Sequence, residues 1–286
     1  MRSGFVAVAG RPNVGKSTLV NALAGGKVAI VSDKPQTTRR RISAVVEGDG
    51  YQLVLVDLPG FQRPRDVLTE HMQRTVESSI EAVDAFLVVL AGDERIGAGD
   101  RSVAERVFAA GPPVVIALNK VDRLTPARIA AQIEAGAALG DFHSLHPVSA
   151  LRCEGLEALE RDLAELLPEG PRYFADGAVT DLPLEARVAE LVREQALALT
   201  REEVPHAIEV EVEEVADGRV RAQLYVETES QKGILVGKGG SMVREIGSRA
   251  RPEIERLLGR SVFLELVVKV RRHWRRDENV LERLGI

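Results

Sequence analysis

Gly10-Arg11-Pro12-Asn13-Val14-Gly15-Lys16-Ser17 fills every fixed position of the pattern G-x-x-x-x-G-K-[ST] and follows directly on the apolar run Phe5-Val6-Ala7-Val8-Ala9. A strand that ends in a glycine-rich turn and restarts as a helix is a device for holding a polyphosphate. Such an anion carries several charges and needs many donors at close range. Backbone amides supply them only where no side chain stands in the way, and Gly10 and Gly15 clear that space. Arg11, Pro12, Asn13 and Val14 line the loop between them. Lys16 is expected to reach the β- and γ-phosphates and Ser17 to place its hydroxyl on Mg2+, while the helix opened by Lys16-Ser17-Thr18 turns its positive end toward the anion.

Working outward, Val31 to Arg41 has neither helical nor strand periodicity and reads as an exposed loop. A nucleotide switch needs a hydroxyl and a backbone amide that sense the γ-phosphate, and Thr37 and Thr38 are the two residues here that could serve. The apolar run Tyr51 to Val56 ends in Asp57-Leu58-Pro59-Gly60. An acidic residue at the end of a buried strand can hold a Mg2+ water, and the Gly60 amide can approach a γ-phosphate. Lys16, Thr38 and Gly60 are thus the expected catalytic groups, and Ser17, Thr38 and Asp57 the expected metal-side groups. Ras-type enzymes place a water-orienting glutamine after this glycine, whereas here Phe61 can neither donate nor accept.

Asn119-Lys120-Val121-Asp122 follows another apolar run, Pro113 to Leu118. The Asp122 carboxylate can accept from the N1–H and the 2-amino group of guanine, Asn119 can bond the ring's other edge, and Lys120 can lie along its plane. Adenine offers no such donor pair, so a selectivity of order ~10⁴ is reasonable for a site built on hydrogen bonds. Val148-Ser149-Ala150 closes the set, its Ala150 amide able to meet the guanine carbonyl.

Alternating strands and helices through this half predict a mainly parallel α/β sheet. The Pro/Gly-rich stretch Pro168 to Gly177 marks a boundary. Beyond it, a helix from Thr180-Asp181-Leu182-Pro183, strands alternating around the turn Asp217-Gly218, a short helix, a long helix from about Ser241 and a strand over 262–270 give the order helix-strand-strand-helix-helix-strand. Gly237-Lys238-Gly239-Gly240 is a G-x-x-G turn between two helices. There the backbone can approach a sugar-phosphate chain while basic residues neutralise it. Ile234, Gly237, Lys238, Gly239, Gly240 and Arg244 are the expected contacts, and Arg271, Arg272 and Trp274 combine charge with a stacking surface, a core role for this segment being equally open on sequence.

The 286 residues suffice for two domains. With 45% hydrophobic and 28% charged residues and no apolar stretch of membrane-spanning length, a soluble protein is expected. The N-terminus carries no apolar secretory segment, so the cytoplasm is expected. The single cysteine, Cys153, and five histidines offer no disulfide and no metal spacing. The net charge of −5 conceals an asymmetry: Asp176 to Glu229 holds 5 basic and 14 acidic residues, Ser230 to Arg276 holds 12 basic and 4 acidic. That reversal suggests a basic face for an anionic partner.

Taken together, these motifs resemble the Era GTPase family from end to end. The resemblance implies an α/β P-loop NTPase fold, a Ras-like G domain with a mainly parallel sheet over 1–168, a linker over 169–182, a smaller α+β type II KH domain over 183–275 and a tail over 276–286. It further implies binding and hydrolysis of GTP to GDP, the 3′ end of 16S ribosomal RNA as ligand, maturation of the 30S subunit as the setting, and peripheral association with the inner face of the cell membrane. A monomer is expected. Leu58 departs from the family's more frequent threonine, and Asn13 matches a position that in some relatives helps hold K+. Beside the GTP-hydrolysing assembly factor, two other readings stay open on sequence: a non-catalytic GTP-regulated RNA binder and a membrane-surface switch using the basic face.

Overall fold

The computed structural model describes every residue except Pro35, Phe61, Gln62, Arg63, Arg65, Glu81 and Asp217, together with the side chain of Ile80. The readings placed on Phe61 and on the Asp217 turn position therefore lie outside the described residues. Two compact units emerge. The first comprises 1–29, 38–64 and 69–181, and the second 30–37, 65–68 and 182–286.

In the first unit the chain runs β1 (Arg2–Ala9), α1 (Lys16–Leu23), β2 (Ile42–Gly48), β3 (Tyr51–Asp57), α2 (Val67–Ile80, whose first two residues group with the second unit), β4 (Ala85–Ala91), α3 (Ala98–Ala110), β5 (Val114–Asn119), α4 (Pro126–Ala137), β6 (Ser144–Pro147) and α5 (Leu156–Leu166). The sheet order is β2-β3-β1-β4-β5-β6. Only the β2–β3 pair is antiparallel, closed by the Asp49-Gly50 turn that the Gly48-Asp49-Gly50 stretch predicts. The strands β4 and β5 are buried along their whole length, as parallel strands covered by helices on both faces must be. Parallel strands place their carboxyl ends on one edge, so β1, β3, β5 and β6 deliver the loop after Ala9, Asp57, Asn119 and the 148–150 turn to the same side. Leu58 belongs to the apolar core of this unit, beside Val56, Val88 and Leu90.

The stretch expected to be a linker does not hang between the units. It is laid on the first one as far as Asp181: Arg2 bridges Glu169, Ala44 bridges Thr180, and Ser43 bonds the Asp181 carboxylate through both amide and hydroxyl. The buried side chain of Gln52 accepts the amides of Tyr173 and Phe174 and donates to the Phe174 carbonyl. A proline- and glycine-rich composition signals irregular backbone, not freedom.

The second unit has α6 (Leu184–Leu199), α7 (Val204–Ala207), β7 (Glu209–Ala216), β8 (Arg219–Val226), α8 (Glu229–Val236), α9 (Ser241–Leu258), β9 (Phe263–Val270) and α10 (Glu278–Leu284). Its sheet runs β7-β8-β9, antiparallel then parallel. Ile246, Ala250 and Ile254 recur at four-residue spacing on α9 and meet Val188, Val192 and Ala196 of α6 in the core beneath the sheet. The residues expected to be a tail form α10, with Leu281 and Leu284 buried. Among the described residues no helix is long and apolar enough to cross a membrane.

Candidate functional site

The loop after β1 has room for backbone alone. A Cβ on Gly10 would lie 2.6 Å from the Val89 carbonyl oxygen. One on Gly15, where φ is 97°, would lie 2.4 Å from Asn119 Nδ2. Lys16 is buried and its ammonium donates to the carbonyls of Gly10 and Arg11, both at 3.1 Å. Burial pushes the Lys16 pKa down while the charge of Asp57 works against that shift. The Arg11 side chain turns away to Asp100 (2.7 Å) and Glu94 (3.0 Å), so its contribution to the loop is through the backbone. Gly60 packs close to the loop, a Cβ there coming 3.4 Å from Pro12 Cγ.

Beside Lys16, three side-chain oxygens converge. Ser17 Oγ donates to Asp57 Oδ2 at 2.7 Å, Thr38 Oγ1 to the same oxygen at 3.2 Å, and the two hydroxyls are 3.3 Å apart. Asp57 is fully buried, and its Oδ1 has no hydrogen-bond partner among the described residues. Burial drives the Asp57 carboxyl pKa up, offset in part by Lys16 and by the Ser17 and Thr38 hydroxyls. A buried carboxylate oxygen left unpaired is expensive, and this set of hard oxygens suits a divalent cation of the Mg2+ kind. Of the two threonines in the loop, it is Thr38 that reaches the cluster. Thr37 Oγ1 donates to the Lys34 carbonyl at 2.6 Å and only closes a local turn.

At the far end of the loop, Asp122 Oδ1 accepts from Ser149 Oγ at 2.7 Å, which orients the carboxylate. Ser149 is itself fixed by a pair of backbone bonds with Glu154, both 3.0 Å. Lys120 takes φ 66° and pairs with Asp93 at 3.2 Å. Burial raises the Asp93 carboxyl pKa, but the hydrogen bonds of Arg123 and Lys120 leave it below the usual value. Asn119 is held by the protein at both ends of its amide. Its Nδ2 donates to the Val14 carbonyl and its Oδ1 accepts from the Ala150 amide, each at 3.0 Å. Its amide therefore ties the loop after β1 to the 148–150 turn, and with two hydrogens on Nδ2 it can hold Val14 and still donate to a base edge.

In the second unit, Gly237 has φ 73°, and a Cβ there would come 2.7 Å from the Met242 amide nitrogen, so this turn admits glycine alone. Lys238 and Gly239 are exposed, Ile234 is 46% exposed, and Arg244 folds back to the Gly239 carbonyl at 2.8 Å. Arg272 is exposed, whereas Arg271 is half-buried over the Tyr225 ring. Of the two readings open for Trp274, the stacking surface is corrected and the core role holds: it is fully buried and its indole N–H donates to the Ala207 carbonyl at 2.9 Å. Basic neighbours made it look like a surface residue, while its packing is decided by elements distant in sequence. Unforeseen from sequence is a groove of roughly 260 Å3 between α9 and β9. Val243, Gly247 and Leu266 line it, with Arg244, Arg251 and the exposed Phe263 alongside. A solitary exposed phenylalanine at a strand's start, next to basic helix positions, was its only signal.

An aspartate oriented by Ser149, at the same strand ends as a glycine-lined loop with a buried lysine, gives the first unit the features of a P-loop GTPase, and a KH-type unit follows it. Comparison with known proteins agrees. Residues 5–120 match the family described as 50S ribosome-binding GTPase, and residues 203–275 match the KH domain family. GTPase Era of Mycobacterium sp. (strain JLS) is 46% identical over 294 residues, covering 99% of this chain and 98% of the relative. That of Mycobacterium tuberculosis is 45% identical with the same coverage. Among solved structures, Era in complex with MgGDPNP and nucleotides 1506-1542 of 16S ribosomal RNA superposes with a TM-score of 0.93 at 37% identity, covering 100% of this chain and 99% of that one. A variant of Aquifex aeolicus Era bound to GDP.AlF4− gives 0.95 at 37% with the same coverage. The chain belongs to the GTPase Era family, and it is a GTP-hydrolysing enzyme.

Proposed function

We propose that this GTPase binds the 3′ end of 16S ribosomal RNA through the Gly237–Gly240 turn and the α9–β9 groove, and that its nucleotide cycle serves assembly of the 30S subunit. The observation that carries the reading is the exposed turn itself. Its glycine backbone is open to a sugar-phosphate chain, Lys238 and Arg244 supply charge, and Phe263 offers a face for a base. A relative with the same two-part fold has been solved with such an RNA and with MgGDPNP.

For hydrolysis, the reading assigns Lys16 to the β- and γ-phosphates, and the Thr38 and Gly60 amides to the γ-phosphate. Ser17, Thr38 and Asp57 would hold Mg2+, which when bound neutralises charge on the phosphate oxygens. Asp122, oriented by Ser149, selects guanine. Asn13, held in a left-handed conformation at φ 65°, is assigned to K+ beside the phosphates, to be checked by comparing turnover in K+ and Na+ at equal ionic strength.

The test is a titration of a ribosomal 3′-end oligonucleotide against the full chain and against the double variant Lys238→Asp, Gly239→Asp. The variant should lose RNA binding by charge repulsion and lost backbone approach, and keep its GTP affinity. Full RNA affinity in the variant would overturn the assignment of this turn. Co-sedimentation of the RNA-free protein with anionic vesicles, unmatched by any RNA binding, would give the basic face to a membrane surface instead.

A further inference from the structure

Arg193, on α6, is almost completely buried, at 1% exposure. Its Nη2 pairs with Glu190 Oε2 at 2.6 Å, its Nε donates to Glu190 Oε1 at 3.2 Å, and Glu209 Oε1 lies 3.7 Å from the Nε. Glu209 sits on β7 at a position where strict alternation would turn it to solvent, yet it is fully buried. The same Arg193 Nη2 donates to the Thr37 carbonyl at 2.5 Å, and the next residue, Glu194, accepts the Val31 amide at 3.0 Å. All of these residues belong to the second compact unit, which includes the loop 30–37.

A buried ion cluster of this kind is a poor way to gain stability. Desolvating the charges costs about what their attraction returns, and apolar residues of equal volume often do as well. What it does confer is direction, because a guanidinium offers donors in a rigid planar fork. Here the fork ends on a carbonyl whose peptide unit is shared with the amide of Thr38. That peptide is planar and trans, so its C=O and N–H point in opposite directions. Holding the Thr37 oxygen therefore sets where the Thr38 N–H points, and Thr38 is the residue whose hydroxyl already meets Ser17 and Asp57.

The geometry points to Arg193, braced by Glu190 and assisted by Glu194, as a positioning residue for GTP turnover that aims the Thr38 amide and hydroxyl by fixing the Thr37–Thr38 peptide plane. The inference rests on the reading of Thr38 as the γ-phosphate sensor. GDP lacks that phosphate, so Arg193 matters to GTP and its analogues and not to GDP.

Two variants of the full chain test this. Arg193→Lys keeps the charge facing Glu190 and Glu209 but loses the fork, and the double variant Arg193→Met, Glu190→Gln removes one charge of each sign. Affinities for GDP and for a non-hydrolysable GTP analogue are measured together with kcat and KM, in proteins shown by thermal melting to be folded, and Thr38→Ala is made alone and in each background. In the variants, GDP affinity should stay within about twofold while analogue affinity and kcat fall about tenfold, a typical size for coupling between sites. Thr38→Ala should cost the wild type as much and add little in either background. An unchanged ratio of analogue to GDP affinity in a folded variant, with Thr38→Ala still harmful, overturns the role of Arg193 and spares that of Thr38. No effect of Thr38→Ala in the wild type overturns the sensor reading and the inference with it.

Discussion

At Gly15 a left-handed backbone and the nearness of Asn119 act together, so Gly15→Ala combines strain of about 1–3 kcal/mol with a clash that must displace that side chain. Guanine nucleotide affinity should fall at least about tenfold, read by titration with fluorescent GDP, and a variant of native affinity would show that the loop has slack. At the proposed base end, the selectivity assigned to Asp122 rests on a carboxylate that only accepts. Asp122→Asn turns one acceptor into a donor facing the guanine 2-amino group, so preference should move from GTP to xanthosine triphosphate, whose ring carries a carbonyl there. Persistent preference for GTP would take the base-reading role from Asp122. Ser149→Ala removes the hydrogen bond that orients this carboxylate, and should weaken GDP and GTP alike by about 1 kcal/mol, roughly fivefold.

At the level of elements, α7 and the turn after β9 are joined by Trp274. Trp274→Phe keeps most of the packing and drops the bond to the Ala207 carbonyl, for a loss of about 1 kcal/mol, while Trp274→Ala should cost about 3–5 kcal/mol. Neither should change RNA affinity per folded molecule, and a large drop with Trp274→Phe at unchanged melting temperature would return the indole to the ligand face. The packing of two strands against their neighbours also leaves a mark on alkaline behaviour. Tyr225 on β8 and Tyr51 on β3 are both pushed up to about 12, first by burial and then by the carboxylates of Glu211 and Glu160 that accept from them. In the unfolded chain a tyrosine ionises near 10. The folded values are raised, so the stability these groups contribute is intact below about pH 10 and is lost as pH climbs toward 12. Ultraviolet absorbance titration should show two late-ionising tyrosines, with Tyr225→Phe removing one of them. Two that ionise near 10 in the folded protein would contradict the packing of both strands.

For the molecule as a whole, a net charge of −5 argues against a polyanionic partner until the charge is divided along the chain, where 12 of the 38 basic residues fall between Ser230 and Arg276. Binding by a local basic surface is governed by the phosphates it touches. A KH turn clamping about four nucleotides should give a plot of log affinity against log salt with a slope of roughly −3. A slope near zero would mean that the proposed RNA contact is not electrostatic and that the basic segment serves another purpose.

Much of this protein could be read from residues in order. Gly10 to Ser17, Asp57 to Gly60, Asn119 to Asp122 and Gly237 to Gly240 are local devices whose work depends on a few neighbours and on a strand or helix end, and hydrophobic periodicity locates those ends. The alternation of strands and helices likewise implied the parallel sheet that gathers the first three motifs on one edge. Tertiary structure alone decided what depends on partners far away in the chain. Trp274 is buried because α7 supplies its acceptor. Asn119 links Val14 to Ala150 through its amide. The stretch before Asp181 is held down by Gln52 and Ser43, and Arg193 reaches the Thr37 carbonyl 156 residues earlier in the chain. A side chain's hydrogen bonds go to whatever the fold brings within about 3 Å of it, and that distance is not written in sequence spacing.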